Sequence, residues 1–85
     1  MSKKYYVNRT IIDYTIYDRP INENLAGNFN DWNKALTWID CFVDSIRSQF
    51  DAVQFLKLGF RDQYVVLSRL INEHYYMEVI SLEEV

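Results

Sequence analysis

The sequence has one cysteine, two glycines and one proline, and each scarcity excludes a class of protein. Because Cys41 stands alone, the chain cannot form an intramolecular disulfide or a cysteine-based zinc cluster. With Gly27 and Gly59 as the only glycines, neither a phosphate-cradling P-loop nor a dinucleotide-binding fingerprint is present. A length of 85 residues with little linker composition predicts a single domain, residues 1–85, stabilised by packing alone.

The chain also lacks a basic excess, since twelve acidic residues against nine basic ones give a net charge of −3. Proteins that bind a phosphate backbone usually carry a basic patch or stripe, so we expect no direct nucleic-acid partner. An RNA-binding sheet is disfavoured further, because its glycine-aromatic signature is absent.

Long apolar runs are missing as well. No run approaches the roughly 20 apolar residues of a membrane helix, and MSKKYYVNRT lacks the apolar block of a secretory signal. We therefore expect no membrane partner and a cytoplasmic location, either in the chain's own host or in a cell that it enters.

The strongest pattern that is present is an amphipathic helix in DWNKALTWIDCFVDSIRSQF, which Asn30 or Asp31 can cap. Its apolar residues fall on one stripe: Trp32, Ala35, Leu36, Ile39, Phe42, Val43, Ile46 and Phe50. Helical geometry places Asp40, Asp44 and Asp51 together on the opposite face. Arg47 is spaced to pair with Asp44 and with Asp51.

The remaining segments predict strands and turns. KYYVNRTIIDYTIYD predicts a strand, and its change of phase predicts a bulge near Ile11 and Ile12 or two strands meeting there. Residues 21–30, with four asparagines, predict a loop with an irregular turn around Asn24. AVQFLKL predicts a strand, with a short second helix ending at Gly59 as the alternative. Residues 59–62 then predict a turn.

The last third of the chain predicts a hairpin, with QYVVLSRLI and HYYMEVISL as strands and Asn72 and Glu73 as a tight turn. The fold class is therefore α+β, with one amphipathic helix packed on a small, mostly antiparallel sheet in the order strand-helix-strand-strand-strand. We expect the first strand to lie beside one of the later strands.

Catalytic signals are weak. His74 is the only histidine, and Cys41 lies in mid-helix, far from the helix N-terminus that would favour a thiolate. Glu73 and Glu78 on the last hairpin point in opposite directions in an alternating strand and lack the nearby lysine of a metal-dependent nuclease. We predict no enzyme, no catalytic residue, no metal site and no cofactor.

Seven tyrosines are the second notable presence, and two of the strands carry Tyr-Tyr pairs. Because adjacent strand residues point to opposite faces, one member of each pair must leave the face that the helix covers. Tyrosine is enriched at binding hot spots. The predicted partner contacts are Tyr5, Tyr14, Tyr75 and Tyr76 with Asp40, Asp44 and Asp51. The alternatives are that the aspartates only solvate the helix, and that the tyrosines cover the sheet or form a homodimer.

The acidic helix DWNKALTWIDCFVDSIRSQFD and the hairpin QYVVLSRLINEHYYMEVISL together resemble small anti-defence proteins of phages and mobile elements, including anti-CRISPR proteins. The resemblance lies in chain length, in a composition rich in Asn, Ile and Tyr, and in the strand-helix-strands order. It assigns a role to no individual residue. It implies a stoichiometric inhibitor that binds a host effector protein, in some cases at its nucleic-acid groove. The alternative is a homo-oligomeric structural or accessory protein without catalytic activity.

Overall fold

The computed structural model describes residues 4–57 and 63–84. Its elements in chain order are β1 (Tyr5–Ile12), β2 (Ile21–Phe29), α1 (Trp32–Ile46), a 3₁₀ turn (Arg47–Gln49), β3 (Ala52–Lys57), β4 (Gln63–Ile71) and β5 (His74–Glu84). The strands form one antiparallel sheet in the order β2-β1-β5-β4-β3. The predicted α+β class is confirmed, and the first strand lies beside β5, although two strands rather than one precede the helix.

The hydrophobic core lies between α1 and one face of the sheet. Its buried members are Val7, Ala35, Ile39, Val43, Val65, Leu67, Ile80 and Leu82. Since successive residues of a strand point to opposite faces, the intervening residues lie on the other side. We call the two sides the helix-bearing face and the open face.

The predicted helix is confirmed, with Asp31 as its cap. The Asp31 carboxylate accepts a hydrogen bond of 2.8 Å from the Asn33 amide. The helix ends at Ile46, earlier than predicted. The backbone of Phe50 is extended, and the Asp51 amide donates to the Ser68 carbonyl at 2.9 Å, so the chain here already joins the sheet.

The loop predicted for residues 21–30 is wrong, as is the turn around Asn24, because this segment forms the edge strand β2. Its asparagines find partners on β1. Thr10 donates to Asn22 at 2.7 Å, and the Asn24 amide donates to Asn8 at 3.0 Å. Side chains that favour turns in a local sequence are therefore held in a strand by bonds across the sheet.

The bulge or strand junction predicted at Ile11 and Ile12 is also wrong. The pairing of β1 with β5 is unbroken through Ile12, and the chain then turns. The irregularities of β1 lie instead between Tyr5 and Asn8, against β2.

The strand predicted for AVQFLKL is confirmed as β3, which excludes the second helix over its described part. The hairpin of β4 and β5 is confirmed, and the positive φ angles of Asn72 (48°) and Glu73 (71°) are those of a type I′ turn. The turn predicted for 59–62 lies outside the described residues. In the described chain, no helix has the length and apolar character needed to cross a membrane.

Candidate partner-binding surfaces

The open face carries an apolar patch at its centre. The register places Ile12 beside Met77, Val66 beside Val79, and Leu70 beside Tyr75, across the three middle strands. Among the described residues, no helix or strand covers this patch. Large uncovered apolar patches are a common feature of interaction sites, and here Leu70 and Tyr75 are exposed while the other members are half-buried. The six residues Ile12, Val66, Leu70, Tyr75, Met77 and Val79 are called the apolar patch below.

Beside the apolar patch, the open face becomes polar toward β2. An open hollow of about 420 Å³ is lined there by Asn8, Thr10, Asn22, Glu23, Asn24, Ser81 and Glu83. Its side chains bond mainly to one another, as in the 2.7 Å bond from the Asn8 amide to the Glu83 carboxylate. The bonds of Asn22 with Thr10 and of Asn24 with Asn8 fasten β2 to β1, and the polar side chains of the hollow form a rim beside the patch.

A charged cluster occupies the part of the helix-bearing face next to the core. Arg9 contacts the carboxylates of both Glu23 and Glu78, the latter at 2.9 Å. Glu78 is only 6% exposed, and its second oxygen accepts a hydrogen bond of 3.1 Å from the Tyr76 hydroxyl. Burial, together with the charge of Glu78 and this bond, raises the pKa of Tyr76 above 10.0, because each favours the neutral phenol.

Arg69 balances the charge of this cluster. Arg9 is one positive charge between two carboxylates, and the guanidinium of Arg69 lies 4.7 Å from the centre of the Tyr76 ring and 5.7 Å from that of Phe50. These are cation–π distances. The buried Nε of Arg69 has no hydrogen-bond partner among the described residues. The cluster therefore contains two positive and two negative side chains, and we assign it to the stability of the fold.

The turn after β1 is built on Asp13, which is buried. Its carboxylate accepts bonds from the Thr15 hydroxyl (2.6 Å) and the Thr15 amide (3.1 Å), while its carbonyl accepts from the amides of Ile16 and Tyr17. The bond from the Thr15 side chain is the largest cause of a lowered pKa for Asp13, and the nearby His74 contributes.

His74 lies beside this turn without forming a catalytic triad. Its Nε2 is 3.3 Å from the Thr15 hydroxyl and 3.9 Å from the Asp13 carboxylate. The single proton of the Thr15 hydroxyl is directed at Asp13, so the hydroxyl is left to accept a hydrogen bond from His74. In a catalytic triad the carboxylate contacts the opposite ring nitrogen of the histidine, whereas here Thr15 and Asp13 both lie near Nε2 of His74.

The four tyrosines predicted as contacts separate into two groups. Tyr5 packs against the core and meets the Trp32 ring edge-on at 5.5 Å, and Tyr76 belongs to the charged cluster. Tyr14 and Tyr75 are 68% and 66% exposed. Each Tyr-Tyr pair thus has one member on each face, as the alternation predicts. Tyr14, Ile16 and Tyr17 form an exposed turn next to the patch, which we call the aromatic turn.

The predicted row of three aspartates is reduced to two. Asp40 and Asp44 are exposed on α1, and Arg47 lies 3.9 Å from Asp44 as its spacing predicts. Asp51 is not on the helix, which is a correction. Its carboxylate accepts a bond of 2.8 Å from the Leu70 amide and joins the chain to β4. The shared helical face expected for the three residues does not exist.

The apolar patch is the feature that sequence reasoning missed. The signal was present in QYVVLSRLI, where Val65, Val66 and Leu67 are consecutive, because such a run places apolar side chains on both faces of a strand. A one-sided sheet would instead alternate apolar with polar residues.

No group of three or more His, Cys, Asp and Glu side chains that could hold a metal ion occurs in residues 4–57 and 63–84. Comparisons with protein-family models, with curated proteins and with solved structures found no match.

Proposed function

We propose that this chain is a non-catalytic protein-binding domain whose apolar patch and aromatic turn contact a partner protein. The observation that carries the proposal is the uncovered patch. Leu70 and Tyr75 face each other across β4 and β5 and are 55% and 66% exposed. Covering such side chains would contribute about 25 cal/mol for each Å² removed from water.

The aromatic turn supports the same surface. Ile12 of the patch immediately precedes the turn, and the bonds to Asp13 hold Tyr14, Ile16 and Tyr17 in position although their side chains face solvent. A surface that is ordered before binding loses less conformational entropy when a partner docks. Tyrosine also supplies large contact area with a polar tip.

We also propose, following the resemblance to anti-CRISPR proteins, that the partner is a host effector that handles nucleic acid. In this proposal the chain, encoded by a phage or mobile element, blocks the effector stoichiometrically in the host cytoplasm. The acidic balance of the chain and the exposed Asp40 and Asp44 support this, since negative charge steers association with a basic groove. Asp51 has a structural bond and is not assigned a contact here.

The test uses three immobilised baits on lysate of the producing cell or its host. They are the wild-type chain, Leu70→Glu/Tyr75→Lys in the patch, and Asp40→Asn/Asp44→Asn on the helix. We expect one protein to be retained in equimolar amount by the first bait, in smaller amount by the third because the steering charge is lost, and not at all by the second. Retention by all three baits would contradict a contact through the patch.

The inhibitor part of the proposal is tested on the retained protein after purification. Titration with the wild-type chain is expected to abolish its nucleic-acid binding at a molar ratio of about one to one. Nucleic-acid binding that persists with the chain in excess would contradict this part while leaving the binding surface in place.

A further inference from the structure

The two edges of the sheet are built differently. The edge strand β2 has two register shifts against β1, a left-handed residue at Asn28 (φ 63°) and the charged Glu23. Bulges and charges of this kind protect an edge from pairing with other strands. The other edge strand, β3, pairs with β4 in unbroken register from Ala52 to Lys57, and Ala52 to Leu56 include no glycine, proline or charge.

Large apolar side chains of β3 are exposed on both faces of the sheet. Phe55 on the helix-bearing face is 56% exposed, and Leu56 on the open face is 39% exposed. In an antiparallel sheet, every second residue of an edge strand points its N–H and C=O groups outward, away from its only neighbour. An uncharged strand with unbroken register and large apolar residues on both faces is a ready template for one more strand.

We infer that β3 pairs antiparallel with β3 of a second copy of this chain, about a two-fold axis that passes beside Gln54. A two-fold axis perpendicular to the sheet keeps each face continuous. The product is a single sheet of ten strands, five from each copy, with both helices on one side and both apolar patches on the other.

The sequence of β3 is complementary to itself in this register. On the helix-bearing face, Val53 lies opposite Phe55 of the second copy, and on the open face Ala52 lies opposite Leu56. Each pair combines a smaller side chain with a larger one, and pairs of an aromatic with a β-branched residue stabilise neighbouring strands. Gln54 lies opposite itself, where the two side-chain amides can bond to each other.

This self-complementarity is the reason for naming a second copy as the occupant. A strand from an unrelated protein would use the same backbone groups but would gain nothing from the order of small and large residues. A contact of one short strand is smaller than the standard interface of about 1,600 Å². We therefore expect a reversible dimer with a Kd on the order of 1 to 100 micromolar.

The test exploits the position of Gln54 on the axis. In Gln54→Lys or Gln54→Glu, two like charges face each other, and we expect the dimer Kd to rise roughly tenfold or more in each variant. Mixing the two variants places lysine opposite glutamate, and a mixed dimer is expected to form. Sedimentation across micromolar to millimolar chain concentration measures each state.

The matched control is Asn22→Lys, which adds the same charge at an exposed residue of the other edge strand. It removes the bond from Thr10 but leaves β3 unchanged, so we expect the dimer to be unaffected. Circular dichroism verifies that every variant is folded, which the exposure of Gln54 favours. A wild-type chain that stays monomeric at millimolar concentration would overturn the inference. So would a dimer that Asn22→Lys weakens and Gln54→Lys does not.

Discussion

The two faces of this sheet differ in whether a helix covers their apolar residues. Val65 and Leu67 on the helix-bearing face are buried under α1, whereas Val66, between them in sequence, lies on the open face. Two adjacent valines of β4, Val65 and Val66, therefore lie in different surroundings, one in the core and one on the open face. The helix-bearing face supplies stability, and the open face is the one that we propose contacts another molecule.

The charged residues of the two faces differ in burial as well. Glu78 on the helix-bearing face is buried and bonded to both Arg9 and Tyr76, while Glu83 on the open face is exposed and accepts a bond from Asn8. Removing a charge from a buried network leaves a desolvated partner, whereas water replaces a lost partner at the surface. The difference between the two faces can thus be measured by pairs of identical substitutions.

The largest effect is expected from valine truncation. Val65→Ala removes buried methyl groups and is expected to lower the free energy of unfolding by about 2 kcal/mol, since it adds a cavity to the lost burial. Val66→Ala on the open face is the control, with an expected loss below about 1 kcal/mol. Urea unfolding of both variants makes the comparison, and equal losses would mean that the open face is also part of the core.

A smaller effect is expected from glutamate neutralisation. Glu78→Gln weakens the bonds to Arg9 and Tyr76 and is expected to cost about 1 to 2 kcal/mol of unfolding free energy. Glu83→Gln is the same change in the same strand on the open face, and its cost is expected within about 0.5 kcal/mol. Should the Glu83 variant lose as much as the Glu78 variant, the assignment of the charged cluster to stability would be wrong.

The smallest effect concerns acid stability at the end of β1. Because the pKa of Asp13 is lowered in the folded chain, its carboxylate contributes stability that is present above its ordinary value of 3.8 and lost as the pH falls below it. Asp13→Asn is therefore expected to show a flatter dependence of melting temperature on pH in this acidic range. Asp40→Asn removes one exposed acid as the control. Identical pH profiles for the wild type and Asp13→Asn would contradict the pKa shift.

Local patterns were sufficient for α1, β3, β4 and β5. The stripe that includes Ile39 and Val43 identifies the helix without knowledge of its partner, and Asn72-Glu73 between two apolar runs identifies the hairpin. In these segments the residues that decide the structure are neighbours in sequence.

The predictions from sequence are wrong where the structure depends on residues that are far apart in the chain. β2 is held by bonds such as that of Thr10 with Asn22, twelve residues apart, and the rim bond of Asn8 with Glu83 spans 75 residues. The helix ends early because Asp51 bonds to β4. The apolar patch likewise depends on which strands are neighbours, since Ile12 meets Met77 only through the pairing of β1 with β5.

The most direct test of the open face measures folding and binding on the same variant. Leu70→Glu/Tyr75→Lys is expected to keep the unfolding free energy within about 1 kcal/mol of the wild type, because both side chains are exposed and their charges are opposite, while losing the protein that the wild type retains. A variant that folds and still retains that protein at wild-type affinity would contradict the assignment of the open face to partner binding.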